Sequence, residues 1–145
     1  HTADHSLEMM LGMQSLILGG VLEKFPMLKV AFLEANCAWV PWWLWRMGEH
    51  YELVGEWDAP VPLTLTPLEY FQRQCYVSMD ADEEPALNVL HAIGENQVVF
   101  STDYPHGDSK FPKSVDIFLN MSGISDSLRR KILWDNCAAL YNIRS

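Results

Sequence analysis

The sequence predicts an α/β fold with a parallel sheet, and three observations lead to it. Helix and strand patterns alternate along the 145 residues in the order helix, strand, helix, strand, helix, strand, helix. The strand segments are short and apolar without polar alternation, which is typical of parallel strands covered on both faces. The third strand, residues 98–101, is followed at once by Asp103. Barrel strands deliver functional carboxylates to the C-terminal end of a sheet in this way.

The first part of the chain carries two predicted helices and one strand. Apolar spacing predicts a helix over residues 6–24, with Ser6 as its N-cap. Residues 29–34 form a short buried strand, because the segment lacks the alternation of a half-exposed one. A second helix begins at Pro41, a residue favoured in the first turn, and runs to about residue 55. The proline-containing stretch 56–66 that follows is predicted to be irregular.

The second part repeats the alternation. Its elements are a short helix 67–72, a strand 75–78, a helix 84–94 ended by Gly94, a strand 98–101, and two helices over 112–121 and 126–141, the last capped by Ser125. The acidic run 80–84 lacks the glycine and glutamate spacing of a calcium loop, so we interpret it as a solvated helix start.

Strand number and length limit the architecture. Three strands cannot close a barrel, and a complete (β/α)₈ barrel needs about 200 residues or more. The chain also begins at His1 without an initiator methionine. Crossovers between parallel strands are right-handed. We therefore expect residues 1–145 to form a single domain that is part of such a barrel, about three parallel strands with flanking helices, within a longer protein.

Composition excludes several classes of partner. A net charge of −9 argues against nucleic acid and anionic membranes, because both require a basic surface. No apolar run reaches the roughly 18 residues of a membrane-spanning helix. Cys37, Cys75 and Cys137 are odd in number and far apart, so we expect reduced thiols in a cytoplasmic protein rather than disulfides or a zinc knuckle.

Four segments carry a resemblance to a known family. They are LGGVLEKFPMLKVAFLE at 18–34, WVP at 39–41 followed by Arg46, TDYPH at 102–106, and DNCAALY at 135–141. In order and spacing they resemble the amidohydrolase-related (amidohydrolase 2) family of metal-dependent hydrolases. This branch includes aminocarboxymuconate-semialdehyde decarboxylase and other nonoxidative decarboxylases. The resemblance covers nearly the whole chain and the C-terminal half of the family's barrel.

The resemblance implies a distorted (β/α)₈ barrel that binds one divalent metal, usually zinc. The family's ligands are a His-x-His pair after the first strand, a histidine after the fifth and an aspartate after the eighth. Asp103 matches the aspartate and is our expected metal ligand. Glu34 stands where the decarboxylases have a histidine. By resemblance, Arg46 would meet a substrate carboxylate, either in its own subunit or across a dimer, and Trp39 is assigned to substrate binding with it.

The residue types themselves support parts of this assignment. Asp103 could ligate a metal or accept a proton from its bound water, although a strand-end aspartate can instead cap a turn. His106, on the same loop, is suited to proton transfer or substrate contact near neutral pH, with packing on Tyr104 as the alternative. Arg46 could equally form a structural salt bridge.

Glu34 leaves two interpretations open, and two other histidines are set aside. We expect a catalytic, substrate-contacting or displaced-ligand role for Glu34. The alternative is a buried carboxylate that accepts hydrogen bonds from the loop 36–39, because unpaired burial of a carboxylate is costly. His1 and His5 precede the first helix with the wrong spacing for a His-x-His pair, so neither is expected to be a ligand.

Two functions remain open. The first is a metal-dependent hydrolase or nonoxidative decarboxylase acting on a small carboxylated compound, aromatic compounds included, in a homo-oligomer. The second is a catalytically incompetent half-barrel that serves only as an oligomerising unit. The second follows from the missing His-x-His strand, together with an apolar sheet edge that would otherwise be exposed.

Overall fold

The fold is described from a computed structural model that covers residues 2–143, without the side chains of residues 56 and 58. Its elements in order are α1 (Asp4–Ile17), α2 (Val21–Lys24), β1 (Val30–Phe32), α3 (Val40–Asp58), α4 (Pro67–Gln74), β2 (Cys75–Met79), α5 (Ala86–Ile93), β3 (Val98–Phe100), α6 (Ser114–Leu119), α7 (Asp126–Arg130), a π-helical turn (Lys131–Asp135) and α8 (Asn136–Tyr141). The three predicted strands and the α/β class are confirmed.

The strands form a parallel sheet in the order β1-β2-β3. Val30 lies opposite Cys75, and Val77 lies opposite Val98. Val77 and Val98 are fully buried, as the absence of alternation in these strands predicts. Helices cover the sheet with large apolar side chains, among them Met13, Ile17, Leu22, Tyr70, Phe71 and Phe118.

The first predicted helix is divided in the structure. It begins at Asp4, so Ser6 is not its N-cap; the Ser6 hydroxyl instead donates to the carbonyl of Ala35, at 3.4 Å. It ends at Ile17, and α2 starts only after Gly20, whose φ of +76° is left-handed. A β-carbon at Gly20 would also collide with Val61, so both conformation and space require glycine here.

Other helix boundaries follow their predicted signals. Thr66 forms a capping box with Glu69, in which each side chain bonds the other's backbone N–H. Ser125 accepts from the N–H of Leu128, and Gly94 ends α5 at a φ of +97°. The single helix predicted over 126–141 is instead α7, the π-helical turn and α8 in succession.

The two outer strands are open edges within the described residues. On the far side of β3, the Asn136 amide donates to the carbonyl of Val98 at 2.6 Å and to that of Glu95 at 2.8 Å. Asn136 is buried, so α8 is fastened to the sheet by these bonds. No helix in the described part of the chain is long and apolar enough to cross a membrane.

Candidate metal centre

Each of the three strands is followed by a carboxylate at the same edge of the sheet. Glu34 follows β1, Asp80 follows β2 directly, and Asp103 follows β3. All three line one open cavity of about 490 Å³. His5, Asn36, His106 and Asp108 also contribute to its wall. The parallel sheet therefore gathers acids from three separate crossover units at one place.

Glu34, Asp103 and His106 form a cluster that could hold a metal ion. One ligand atom from each lies within 4.8 Å of the others. The Nδ1 atom of His106 is 2.8 Å from Oδ1 of Asp103. Two carboxylate oxygens and an imidazole nitrogen are ligands for divalent ions such as Mn²⁺ and Zn²⁺. Across the described residues this is the one such group of three or more side chains.

Both acids of this cluster occupy an uncommon backbone conformation. The φ angles are +64° for Glu34 and +53° for Asp103, in the left-handed region that non-glycine residues seldom adopt. Such conformations persist where surrounding contacts hold them, and they concentrate at functional sites. The strand ends are thus bent in a way that a simple continuation of β1 or β3 would not produce.

The charges at the site shift two ionisation equilibria. The hydrogen bond from His106 to Asp103, with the negative charge of Asp103 next in effect, raises the pKa of His106 above its usual value. Partial burial raises the pKa of Asp80, and the charges of Asp103, Asp82 and Asp108 raise it further. Crowded carboxylates favour binding of a proton or a cation. The cavity is therefore suited to a positive ion.

The structure brings together three of the five predicted site residues. Asp103, His106 and Glu34 meet in the cluster, whereas Arg46 is exposed on α3 and lines a different groove, with Trp43 and His50 among its neighbours. The Trp39 indole donates to the carbonyls of Ala35, at 2.9 Å, and Asn36, at 3.1 Å. Trp39 is not among the described residues that line the cavity.

The structural alternative for Glu34 is wrong, whereas that for His106, packing on Tyr104, stays a prediction. Glu34 is exposed rather than buried. The N–H groups of Cys37 and Ala38 donate to Glu83 Oε1, at 2.8 and 3.0 Å, so a different carboxylate holds this loop. The Tyr104 ring packs against that of Phe111 at a tilt of 56°, with ring centroids 4.6 Å apart, and His106 bonds Asp103.

Sequence reasoning missed three residues at this site. Asp80 and Glu83 lie in the run interpreted as a solvated helix start, but Asp80 is half-buried in the cavity wall and Glu83 is 8% exposed. The available signal was that Asp80 directly follows β2, closer than Asp103 follows β3. His5 also lines the cavity, with Nδ1 3.1 Å from the carbonyl of Glu34, although it forms no His-x-His pair.

Comparison with known proteins defines the class of protein. Residues 3–143 match the family model described as amidohydrolase. The chain therefore belongs to the amidohydrolase family, and the resemblance drawn from the sequence motifs is confirmed.

Two curated relatives are decarboxylases. The chain is 26% identical to gamma-resorcylate decarboxylase of Polaromonas sp. (strain JS666) over 144 residues, which span 98% of this chain and 40% of that protein. It is 31% identical to 2-amino-3-carboxymuconate-6-semialdehyde decarboxylase of Dictyostelium discoideum over 98 residues, 68% of this chain and 27% of that protein. The chain thus spans two fifths or less of the length of these relatives.

Solved structures share the fold. A dihydroxybenzoic acid decarboxylase from Polaromonas sp. JS666, solved with bound manganese and the inhibitor 2-nitroresorcinol, matches with a TM-score of 0.74 at 23% identity. The match covers 94% of this chain and 40% of that one. An amidohydrolase from Mycobacterium avium subsp. paratuberculosis matches with a TM-score of 0.76 over 91% of this chain and 32% of its own. The three-stranded fold is therefore part of an amidohydrolase-type barrel.

Proposed function

We propose that this chain supplies metal-binding residues to a nonoxidative decarboxylase whose substrate is a small aromatic carboxylate. The observation that carries the proposal is the cluster of Glu34, Asp103 and His106, with ligand atoms within 4.8 Å of one another. The two curated relatives, both decarboxylases, support the reaction class. Hydrolysis is the alternative to decarboxylation, since the family is described as amidohydrolase.

The cluster fits the divalent metal expected of the family. Asp103 and Glu34 would offer carboxylate oxygens, and His106 an imidazole nitrogen. A bound divalent ion supplies a Lewis acid that polarises a substrate oxygen. Manganese in the structure of a dihydroxybenzoic acid decarboxylase makes Mn²⁺ a candidate beside zinc. The mixed oxygen and nitrogen donors accommodate either ion.

The remaining charges of the cavity constrain how a substrate carboxylate could enter. Asp80 and Asp108 also line the cavity, which contains no lysine or arginine among its described wall residues. A carboxylate substrate would therefore be repelled unless a cation offsets these charges. His106 can serve in one of two ways: as a neutral imidazole it would bind the ion, whereas outside the ion's ligands it would hold a proton and donate it to substrate, because Asp103 raises its pKa. We keep the prediction that Arg46 and Trp39 contact substrate, for a site completed by another subunit.

Metal binding by the intact protein tests the proposal. We expect one divalent ion per chain by elemental analysis, with Asp103→Asn and Glu34→Gln each lowering Mn²⁺ affinity at least tenfold in calorimetric titration. Asp108→Asn is the matched control, because Asp108 lines the same cavity but lies outside the cluster. The proposal fails if the protein binds no divalent ion, or if all three variants bind as tightly as the wild type.

Enzyme activity is measured on the same samples. We expect the metal-loaded protein to release carbon dioxide from a dihydroxybenzoate, with turnover lost in Asp103→Asn. Hydrolysis of an ester or amide without decarboxylation would instead support the hydrolase reaction. Metal binding without turnover on either class would leave the site assignment standing and reject the substrate proposal.

A structural role as an oligomerising half-barrel is the second candidate. Its supporting observation is the exposed apolar surface of α3, where the side chains of Trp42, Trp45 and Leu53 are 53%, 58% and 78% exposed. Within the described residues, no further strand pairs with the outer edge of β1 or of β3. A metal-free oligomer in light scattering, with no turnover, would favour this role over the enzyme.

A further inference from the structure

The Glu83 carboxylate lies beside the proposed metal centre but not in its wall. It is 8% exposed and is not among the described residues lining the cavity. Its Oε1 atom accepts the N–H groups of Cys37, at 2.8 Å, and Ala38, at 3.0 Å, in the loop after β1. Its Oε2 atom accepts the N–H of Asp80, at 3.3 Å, after β2. One buried side chain thus joins two of the three strand ends.

The loop that Glu83 holds is the one that carries Glu34. Glu34 and Asn36 have φ angles of +64° and +56°, a conformation that neighbouring contacts must maintain in non-glycine residues. Two further bonds come from β2 and its end: Ser78 Oγ accepts the N–H of Glu34 at 3.3 Å, and Asn36 donates to Asp80 at 2.8 Å. Each of these contacts ties the β1 loop to the β2 end.

We infer that Glu83 is a positioning residue that fixes where the Glu34 carboxylate lies in the metal centre. The inference rests on the proposed function, since it concerns the same cluster. A carboxylate suits this role because it presents only acceptors to three converging N–H donors. Glutamine at position 83 would keep the side-chain volume but would present its NH₂ group either to the N–H groups of Cys37 and Ala38 or to that of Asp80. The N–H groups facing the NH₂ would lose their acceptor, and the loop after β1 would relax.

Glu83→Gln tests this role, with Glu84→Gln as the matched control. Glu84 is the next residue, but its side chain is exposed and outside this bond network. Loss of a supporting partner behind metal ligands commonly weakens metal affinity by about 10- to 100-fold. We therefore expect Mn²⁺ affinity of the intact protein to fall at least tenfold in Glu83→Gln and to change less than twofold in Glu84→Gln.

A double-variant cycle separates positioning from general destabilisation. If Glu83 acts through Glu34, then Glu83→Gln added to Glu34→Gln should weaken Mn²⁺ binding by less than twofold more. An additional tenfold loss in that background overturns the inference, because the effect would not pass through Glu34. Should Glu83→Gln fail to fold, Glu83→Asp retains the charge but retracts the acceptors, and the same comparison applies.

Amide hydrogen exchange makes failure of this inference distinguishable from failure of the proposed function. We expect the Cys37 and Ala38 amides to exchange at least tenfold faster in Glu83→Gln than in Glu84→Gln, whether or not metal binds. If amide exchange is unchanged in Glu83→Gln, the inference is overturned while the proposed function stands. The same holds if the wild type binds metal and Glu83→Gln binds it with unchanged affinity. A wild type that binds no metal overturns the assignment of a metal centre, and with it the role of Glu83 there.

Discussion

Replacement of Asn136 by alanine should destabilise the fold at the open side of β3. The Asn136 amide group donates to two carbonyl oxygens, those of Val98 at 2.6 Å and Glu95 at 2.8 Å. Val98 is fully buried and Asn136 is 4% exposed. Alanine removes both donors and leaves the Val98 carbonyl without this partner in a place that water does not reach.

The expected loss follows from these contacts. Each net hydrogen bond contributes about 0.5–1.5 kcal/mol, and a buried group left unpaired adds a penalty of about 1–3 kcal/mol. For two bonds and one stranded carbonyl, we expect the free energy of unfolding to fall by about 2–6 kcal/mol. With a urea dependence of about 2 kcal/mol per molar, the midpoint of unfolding should fall by about 1–3 M.

Urea unfolding of the intact protein, followed by circular dichroism, measures this change. Asn120→Ala is the control, because the Asn120 amide bonds Asp116 within the exposed side of α6 and should cost less than about 0.5 kcal/mol. Equal midpoints for Asn136→Ala and Asn120→Ala would refute the reasoning. The two Asn136 bonds would then contribute little to holding α8 on the sheet.

Four further predictions concern the site and the fold around it. In metal-free protein, Asp103→Asn should lower the pKa of His106 toward the ordinary 6.5, as measured by NMR titration, and an unchanged pKa would contradict the pairing. In the wild type, the pair stabilises the fold fully below pH 6.5, and this contribution is lost as the pH rises through the raised pKa of His106. Thr66→Ala should reduce the free energy of unfolding by about 1 kcal/mol through loss of the capping box, and an unchanged urea midpoint would count against it. Burial raises the pKa of both the Cys37 and Cys137 thiols, but Cys37 is the more deeply buried of the two and lies beside Glu83. Mass spectrometry should therefore find Cys137 alkylated first and Cys37 alkylated only on unfolding, and early labelling of Cys37 would contradict this prediction. Removing metal with EDTA should lower the thermal midpoint of the wild type more than that of Asp103→Asn, since an ion at 100 times its Kd stabilises by about 2.7 kcal/mol and a tenfold weaker affinity reduces this by about 1.4 kcal/mol.

The strand framework could be predicted from the sequence because its signals are local. Residues 29–34, 75–78 and 98–101 are short apolar runs; the first and third contain β1 and β3, and the second covers all of β2 but its last residue. The break between α1 and α2 was harder to predict from the sequence. Gly20 has to be glycine partly because Val61, far along the chain, occupies the space of a β-carbon.

The candidate site was predictable where a residue's position along its strand determined its place. Asp103 and Glu34 follow strands, so the sheet alone brings them to one edge. Asp80 obeys the same rule but was obscured by its acidic neighbours. Two of the three partners of Glu83 are backbone N–H groups more than forty residues away, which no composition or spacing reveals. Such long-range bonds depend on how the crossovers pack.

The strand order has a consequence for when the metal centre can form during folding. Glu34 and Asp103 follow β1 and β3, which do not pair with each other because β2 lies between them. Their side chains converge only after both neighbouring pairs have formed in register, since a one-residue slip turns a side chain to the opposite face. Parallel pairings of this kind close long loops and are slow to form. Metal uptake should therefore be a late kinetic event that reports completed assembly of all three strands.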